Sequence, residues 1–499
     1  VSNGGSGTVS YAKLTDSASN LDTNKNDIKP GVAVTIDDTN NTAATVAELN
    51  DIQTAVAAAA GASLSYAKLR DTSANIRNNT ANGAITDVEG IAVTVTTTSN
   101  ATEFDAILTA ATANNANGTV AGAVADAGSS LTGVTFPNAT SITATISNAN
   151  DLTTVTLDSD VTHIDLNDVT NVLLDINDLT NRTIVNTSGN GSYKVKDTAS
   201  TLAGAAEALL SDQTIVVDDS STAATTTELN SIQTKMVSNG GSGTVSYTKL
   251  TGTATSLAAN TNDIIAGVAV TIDETGQNTP ATVSELNSLQ TAVAAASGAS
   301  LTYTKLRDTS ANIRANVDGN NAITDVEGIA VTVTTTSDVS QYGAILTAAT
   351  ANNANGTVAG AVSDAVGSLT DVTLTGATSV TAVITDGTKD LTGTSLDSDV
   401  TILDLATNTV QNAVFDIADI NGKTILDTGA TFTVKDSATT LAANTNLING
   451  KAVVIDDTNN TAATVAELNA IQLVASSVTY TKLRDTSANI RNNTANGAI

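Results

Sequence analysis

The chain of 499 residues contains no Cys and no Trp, and aromatic residues make up only 2% of it. The absence of Cys excludes disulfide bonds and thiolate metal sites. A core without large rings has to be built from many small contacts between Val, Ile, Leu and Ala. This composition favours a thin structure that repeats itself over a thick globule.

Basic residues are also scarce. Lys and Arg number 21 against 50 Asp and Glu, which gives a formal net charge of −29. Such a surface repels nucleic acid and anionic membranes, so we expect no nucleic-acid partner. The sequence has no apolar run of about 18 residues or more, so we expect no membrane insertion within it.

The chain repeats itself over long distances. VSNGGSGTVSYAKL at 1–14 returns almost unchanged from Val237, and ITDVEGIAVTVTTTS at 85–99 returns at 323–337. The repeats divide the chain into a first long unit at 1–236, a second long unit at 237–473, and the start of a rearranged, truncated third unit at 474–499. Because neither end carries the atypical polar repeat that caps a solenoid, we expect these residues to belong to a longer chain.

Each long unit contains a shorter pattern. The stretch GVAVTIDDTNNTAATVAELNDIQ at 31–53 indicates a β-branched strand, two acids, a polar turn and a helix, and it has three further copies. Every copy has the Thr-x-x-Glu spacing of a capping box, at Thr45 and Glu48, Thr225 and Glu228, Thr282 and Glu285, and Thr464 and Glu467. At 195–210 and 434–448, the acid that ends a strand is expected to cap a short helix. Strands alternating with helices predict a parallel sheet with helices on one side.

Residues 130–195 have a different pattern, which returns at 369–435. SITATI, TTVTLDS, THIDLND, NVLLDIND and RTIVNTS follow one another closely and leave no room for helices, so each is expected to be a short strand. This pattern is typical of a β-solenoid with two strands in each coil. The predicted fold class is therefore a repeat solenoid. It is a parallel β-solenoid with short α-helices on one side in part of the coils, so that α/β and all-β coils are mixed.

Pairs of acids at strand ends are the best candidates for a binding site. Carboxylates stacked from coil to coil are hard oxygen ligands that suit Ca²⁺. The alternative is that each Asp satisfies backbone N–H groups in an Asx turn or a helix cap. The candidate calcium ligands are Asp37, Asp38, Asp158, Asp160, Asp218, Asp219, Asp397, Asp399, Asp456 and Asp457. No other cofactor is expected.

Catalytic chemistry has little support in the sequence, and we predict that the chain is not an enzyme. His163 is the only histidine, and Ile402 stands at its position in the second unit, which favours a packing role. Glycoside hydrolysis needs two acids beside aromatic sugar platforms, and so few aromatics leave no such platform. The threonine rows VTVTTT at 93–98 and 331–336 resemble an ice-binding face but occur once in each unit. Asn-x-Thr triplets, such as those beginning at Asn40 and Asn78, have the form of sugar-acceptor sites, so glycans are candidate partners.

The motifs DTSANI, DTASTL and ATVAELNDIQ recur through the chain. In this respect the chain resembles the giant acidic, Thr- and Asn-rich repeat proteins of bacterial cell surfaces, particularly those of cyanobacteria and other marine bacteria. The resemblance implies an adhesin, a surface-layer component, a motility-associated surface protein or an extracellular fibre. It also implies a secreted, extracellular or cell-surface location.

Repetition itself favours a structural role, because selection for length and stiffness repeats a sequence whereas a catalytic site is needed only once. We therefore expect an extracellular structural protein that forms a rod or filament and associates with itself. Two alternatives remain open at this point. The chain could be the stalk of an adhesin whose binding domain lies outside these residues, or a calcium-stabilised component of a surface layer.

Overall fold

The computed structural model describes residues 9–39, 43–147, 151–238, 241–275, 279–385, 390–394, 396–405, 411–427, 429–458 and 461–494. The chain divides into two compact units, Val1–Thr248 and Lys249–Ile499. Both are mixed α/β structures in which parallel strands form several sheets and short helices follow many of the strands. Within the described residues, no helix has the length and apolarity needed to cross a membrane.

The described part of the first unit has seventeen strands and eight α-helices. The strands are β1 (Lys13–Asp16), β2 (Ala33–Ile36), β3 (Ser63–Ser65), β4 (Lys68–Asp71), β5 (Thr80–Ala81), β6 (Ala84–Ile85), β7 (Ala92–Val95), β8 (Thr119–Ala121), β9 (Ala123–Ala127), β10 (Ser141–Thr145), β11 (His163–Asp165), β12 (Val172–Leu174), β13 (Thr183–Val185), β14 (Tyr193–Asp197), β15 (Thr214–Val217), β16 (Ala224–Thr225) and β17 (Thr244–Ser246). The helices are α1 (Ala18–Thr23), α2 (Val46–Ala58), α3 (Ser73–Asn78), α4 (Ala101–Ala111), α5 (Ile176–Asn181), α6 (Ala199–Gly204), α7 (Glu207–Leu210) and α8 (Thr226–Met236).

The described part of the second unit has thirteen strands and eight α-helices. The strands are β18 (Lys249–Gly252), β19 (Ala269–Ile272), β20 (Ser300–Thr302), β21 (Lys305–Asp308), β22 (Ala330–Val333), β23 (Thr357–Ala365), β24 (Ala377–Val383), β25 (Ile402–Asp404), β26 (Gln411–Phe415), β27 (Thr424–Leu426), β28 (Thr431–Asp436), β29 (Ala452–Ile455) and β30 (Ser477–Thr479). The helices are α9 (Ala254–Ala259), α10 (Val283–Ala295), α11 (Ser310–Ala315), α12 (Val339–Ala349), α13 (Ile417–Ile420), α14 (Ala438–Ala443), α15 (Val465–Val474) and α16 (Ser487–Asn492).

Strands pair in parallel with strands of later repeats, in a register that stacks like residues. In the sheet of β4, β7 and β8, for example, Leu69 pairs with Val93 and Val93 with Val120. All three side chains are at most 1% exposed, so the pairing builds an apolar row on the core side of the sheet. The hairpin of β5 and β6 is the antiparallel exception among the described pairs of strands.

Phenylalanines extend the core in both units where strands and helices meet. The rings of Phe104 and Phe136 pack edge to face with centroids 5.6 Å apart, and those of Phe415 and Phe432 do so at 5.4 Å. Edge-to-face packing of this kind is favourable beyond the area that it buries. The few large rings therefore fill the core at particular points, and small aliphatic side chains make up the remainder.

The helix starts predicted from the Thr-x-x-Glu pattern are confirmed. Each of the four threonines accepts the Glu backbone N–H, and each Glu carboxylate accepts the Thr backbone N–H, at the start of α2, α8, α10 and α15. The predicted caps at 195–210 and 434–448 were placed one residue too early. Thr198 and Ser437 are the N-caps of α6 and α14, because in both places the carboxylate of the preceding Asp does not accept the hydrogen bond that caps the helix.

The prediction of strands without helices at 130–195 is wrong in two places. Helix α5 follows β12, because Asp175 accepts the Asp178 backbone N–H at 2.7 Å and caps a helical turn. TTVTLDS forms no strand, since Thr153 donates its N–H and its hydroxyl to Asp151 in a tight turn. The second unit has the corresponding helix, α13, so short helices also occur in the coils that were expected to be all-β.

Candidate functional site: carboxylates at the strand ends

The first acid of each acidic pair caps its own turn. Asp37 Oδ1 accepts the Thr39 N–H at 3.1 Å and the Thr39 hydroxyl at 2.5 Å, and Asp456 does the same with Thr458 at 3.1 and 2.6 Å. Asp218 accepts the Ser220 N–H at 3.2 Å. Hydrogen bonds to the charged form, first from the hydroxyl and then from the N–H of Thr39, Ser220 and Thr458, lower the pKa of all three carboxyls. The geometry is that of an Asx turn.

The second acid of each pair reaches across to a later repeat. These four residues, called clamp acids from here on, are Asp38, Asp219, Glu274 and Asp457, and each is at most 9% exposed. Asp38 accepts the Ala67 N–H at 3.0 Å, and the Lys68 ammonium donates to the Asp38 carbonyl oxygen at 2.8 Å. Asp38, Asp219 and Glu274 therefore hold residues directly before or at the start of a later strand.

Asp457 and Glu274 each accept three hydrogen bonds from a later repeat. The Asp457 carboxylate accepts the N–H groups of Thr481 and Lys482 at 2.8 and 2.7 Å and the Thr481 hydroxyl at 2.7 Å. The hydroxyl and the backbone N–H of Thr481 lower the pKa of Asp457. Glu274 makes the same set of contacts with Thr304 and Lys305, although its side chain is one methylene longer. Both oxygens of these carboxylates are thus engaged by the protein.

The two Asp-x-Asp pairs lie in turns. Asp158 Oδ1 accepts the Asp160 N–H at 3.1 Å, and Asp397 Oδ1 accepts the Asp399 N–H at 2.9 Å. Asp399 Oδ2 in addition accepts the Leu374 N–H at 3.1 Å. The structure therefore gives these acids the role of turn caps.

The candidate calcium ligands are not gathered into a site. Among the described residues, no three His, Asp or Glu side chains are grouped so that they could hold a metal ion. Calcium prefers six to eight oxygen ligands around one point. The stacked carboxylates accept N–H groups instead, and calcium binding remains a prediction without a structural basis in these positions.

A second set of acids, which the sequence analysis did not single out as a set, joins the first residue of seven helices to a later part of the chain. Asp71, at the end of β4, accepts the N–H of Val46, the first residue of α2, at 2.9 Å. Its other oxygen accepts the Thr72 N–H at 2.7 Å. Seven aspartates have this pair of contacts and are called bridging aspartates here: Asp71, Asp126, Asp197, Asp308, Asp364, Asp436 and Asp485.

The bridging aspartates lie at helix N-termini, where a negative charge is favourable. The first N–H groups of a helix have no partner within it and carry partial positive charge. A carboxylate from the next strand satisfies one of them, so a single Asp fixes the spacing between helix and strand. The signal was available in the sequence, because Asp recurs directly before the helix cap at the end of successive strands.

A polar network around a tyrosine occurs in both units with the same geometry. In the first unit, Asp87 accepts from Gln53 Nε2 at 2.6 Å, from the Tyr66 hydroxyl at 3.4 Å and from Asn79 Nδ2 at 2.9 Å. Burial and the neighbouring carboxylate raise the pKa of Tyr66. Asp87 has φ +66°, a left-handed conformation that Asp tolerates better than most residues.

The second unit repeats this network around Asp325, which accepts from Gln290, Tyr303 and Asn316 at 2.6, 3.2 and 2.8 Å. In both units one carboxylate gathers donors from a long helix, a strand end and a short helix. Every donor contacts the same Asp, and the arrangement contains no nucleophile or His. It fits a structural role.

Two buried carboxyls are the most perturbed acids. Asp178 pairs with Arg182 at 2.8 Å, both side chains are buried, and Asp178 Oδ2 and Arg182 Nε have no partner in the described structure. Burial and the nearby Asp175 raise the pKa of Asp178 to about 6, although Arg182 opposes them. In the second unit, burial and Asp416 raise the pKa of Asp419 to about 7.

The remaining candidate functional residues lie in positions that fit a structural role. His163 is half-exposed on β11 between Thr143 and Thr183, and Ile402 lies between Thr381 and Thr424 in the second unit. In the threonine rows, Thr97 and Thr335 each accept a serine N–H through the side-chain oxygen, at 3.0 and 3.1 Å. Asn78 is exposed at the end of α3, whereas Asn40 lies outside the described residues.

A shallow groove of about 880 Å³ lies on the helical side of the second unit. Ala258, Asn287, Thr291, Ala295, Asn312 and Asn316 are among the residues that line it, and none of its lining side chains ionises. Its hydroxyls, such as that of Thr291, therefore have no ionisable side chain among the lining residues to activate them.

Comparison with other proteins adds no assignment. No known protein family, no curated protein and no solved structure gives a significant match to this chain.

Proposed function

We propose that the chain is a non-catalytic, extracellular structural protein whose tandem repeats wind as a parallel β-solenoid into a rod or filament. The observation that carries this proposal is the coil-to-coil bonding that recurs along each unit. Bridging aspartates, clamp acids and parallel pairs of strands all join one repeat to the next. Each repeat buries its apolar row only when a neighbour stacks on it, which is the principle of solenoid proteins.

The register of the strands supports a winding chain. In the parallel pairs of strands of the first unit, paired residues are separated in sequence by 18 residues, as for Ala123 and Ser141, up to 30 residues, as for Ala33 and Ser63. A separation in this range is what one turn of a solenoid with one or two strands and a short helix requires. Chains that pair consecutive segments in parallel grow along one axis.

The extracellular location rests on composition. The protein has 50 acidic residues, no Cys and many Asn and Thr residues, and its motifs resemble those of bacterial surface repeat proteins. A charge of −29 keeps neighbouring molecules soluble and disfavours nucleic-acid binding. A fibre, stalk or coat at the cell surface fits these properties.

Electron microscopy and small-angle X-ray scattering of the purified 499-residue chain test the proposed shape. We expect particles of constant width whose length exceeds the width several times, and a scattering profile with the cross-section of a rod. Compact, nearly spherical particles would refute the solenoid. Immunogold labelling of intact cells tests the location, and label confined to the cell interior would contradict it.

A further inference from the structure

Helix α13 begins with two aspartates that cap it reciprocally. Asp416 Oδ1 accepts the Asp419 N–H at 2.9 Å, and Asp419 Oδ2 accepts the Asp416 N–H at 3.4 Å. A capping box normally pairs a Ser or Thr with a Glu or Gln, so that it contains at most one carboxylate. Here it contains two, and Asp419 is 4% exposed. Because like charges in one buried place disfavour each other, the box is most stable when one of the two acids carries a proton.

Helix α5 has the same pair of acids in the first unit, Asp175 and Asp178, but there the charge is balanced by an arginine. Arg182 Nη1 donates to Asp178 Oδ1 at 2.8 Å, and both side chains are at most 5% exposed. Arg182 Nη2 also donates to the carbonyl oxygens of Leu157 and Asp158, both at 3.1 Å. The guanidinium therefore holds the Asp178 carboxylate and ties α5 to the preceding coil.

Lys423 stands at the position of Arg182 in the second unit. Among the described contacts of the second unit, Lys423 makes neither an ion pair with Asp419 nor a hydrogen bond to the preceding coil. Burial and the neighbouring Asp416 raise the pKa of Asp419 to about 7, and the more distant charge of Lys423 opposes them. Asp419 is therefore a buried acid without a cation in contact.

The other charged groups around α13 are engaged elsewhere. Asp436, on β28, accepts the Ile417 N–H at 3.2 Å, and Lys435 pairs with Asp390 at 3.4 Å. Asp397, in the turn that corresponds to the one contacted by Arg182, caps its own turn. Ionisation of Asp419 thus adds a third carboxylate charge at the start of a helix of four residues, whose partial positive charge is small.

We propose that α13 is a pH-sensitive joint between two coils. Its capping box and the bond from Ile417 to Asp436 stay closed while Asp419 carries a proton, and they open locally as the pH rises through neutrality. Helix α5 stays closed over the same range because Arg182 balances the charge of Asp178. Opening exposes Ile417 and Ile420, which are 5% and 3% exposed when α13 is closed. The inference does not depend on the proposed function, since local opening can be measured whatever the shape of the chain.

Hydrogen exchange of the full chain at pH 6 and pH 8, corrected for the intrinsic exchange rates, tests the proposal. Closed α13 keeps a proton that the open form releases, so opening becomes easier as the pH rises until Asp419 is ionised in both forms. With a pKa of about 7, the protection factors of the Asp419 and Asn421 amides are expected to fall about tenfold. In α5, where the pKa of Asp178 is about 6, those of Asp178 and Leu179 are expected to fall about twofold. Equal falls at the two helices, or no fall at α13, would overturn the proposal.

Two variants assign the opening to its cause. Asp419→Asn cannot ionise, although its amide oxygen can still accept the Asp416 N–H, so the protection of α13 should differ by less than about twofold between pH 6 and pH 8. Lys423→Arg copies the first unit and is expected to reduce the fall from about tenfold to about twofold. A tenfold fall that persists in Asp419→Asn would refute the role of Asp419. If Lys423→Arg leaves the fall at tenfold, the difference between the two units does not come from the arginine.

Discussion

Two hydrogen bonds join Asp457 and Lys482. The Asp457 carboxylate accepts the Lys482 backbone N–H at 2.7 Å, and the Lys482 ammonium donates to the Asp457 carbonyl oxygen at 2.8 Å. The same exchange joins Glu274 to Lys305 at 2.8 and 3.0 Å. The contacts run from one repeat to the next and fix the backbone of the later repeat, which at Lys305 is the first residue of β21.

Asp457→Ala is expected to loosen the backbone at Thr481 and Lys482, whose N–H groups the carboxylate accepts. Because the charged carboxylate accepts both N–H groups, the amides of Thr481 and Lys482 should exchange several-fold faster once it is removed. Asp457→Glu should remain close to the parent, since Glu274 makes these contacts at the corresponding position. Native-state hydrogen exchange by NMR or mass spectrometry measures both. Asp456→Ala is the control, and an equal effect on Thr481 would contradict the clamp.

Asp71→Ala is expected to destabilise the first turn of α2, although 25 residues separate Asp71 from Val46. The substitution leaves a buried N–H without its acceptor, at a cost of about 1–3 kcal/mol. The readout is the exchange rate of the Val46 amide. Thr72→Ala is the matched control, because Thr72 caps α3 alone and should leave Val46 protected. If Thr72→Ala exposes Val46 equally, the bridging role of Asp71 is wrong.

The parallel strands and their helices could be read from the sequence where the pattern is local. A capping box needs only Thr45 and Glu48, three residues apart, and the structure confirms it. The helix α5 could not be read in this way, because its few residues carry little apolar periodicity and depend on Asp197 of a later strand, which accepts the Ile176 N–H at 3.3 Å.

The sequence placed the acid pairs at strand ends and left open whether their carboxylates meet a cation or backbone N–H groups. Asp37 meets Thr39 in a local turn, whereas the partner of Asp38 is a residue 29 positions away. In the structure that residue is Ala67, whose N–H donates to the Asp38 carboxylate. Long-range contacts of this kind become predictable only when the length of each coil is known.

Removal of calcium is expected to leave the stability unchanged. The carboxylates proposed as ligands already accept N–H and hydroxyl groups, as Asp37 does from Thr39. A thermal melt followed by circular dichroism, with 5 mM EGTA or 5 mM CaCl₂ at constant ionic strength, is expected to give Tm values that agree within about 1 °C, since a ligand stabilises only when it binds the folded state. A clear fall in Tm with EGTA would restore the calcium interpretation.

Gly118→Ala is expected to disrupt the packing of α4. A Cβ atom at Gly118 would lie 2.1 Å from the Ala111 carbonyl oxygen, a backbone atom that cannot move aside alone. Overpacking of this kind costs about 1–3 kcal/mol or more, measurable as a lower urea midpoint. Gly204→Ala in α6 is the control, since its Cβ would meet no atom within 4 Å. That change should be neutral or should stabilise by up to about 1 kcal/mol.

The raised pKa of Asp419 predicts that the free energy of unfolding falls as the pH rises. Its pKa is raised to about 7 in the folded state, so the folded protein keeps a proton that the unfolded chain releases near pH 4. The unfolded state then binds fewer protons, and the free energy of unfolding declines between about pH 4 and pH 7 and levels off above. Asp419→Asn should remove this contribution and be more stable than the parent at pH 8, by on the order of 1–3 kcal/mol. Urea unfolding at pH 4.5 and pH 8 measures the difference.

Asp178 can be compared with Asp419, because it is also a buried carboxyl with a raised pKa but is paired with a buried Arg. Its pKa is raised to about 6, so the pH dependence has the same sign over a narrower window, from about pH 4 to pH 6. Asp178→Asn, however, leaves the Arg182 guanidinium buried without its anion, and we expect a loss of roughly 3–5 kcal/mol at pH 8. Adding Arg182→Met should recover most of that loss, since it removes the unpaired charge. If Asp178→Asn proves as harmless as Asp419→Asn, the ion pair with Arg182 does not stabilise the folded protein.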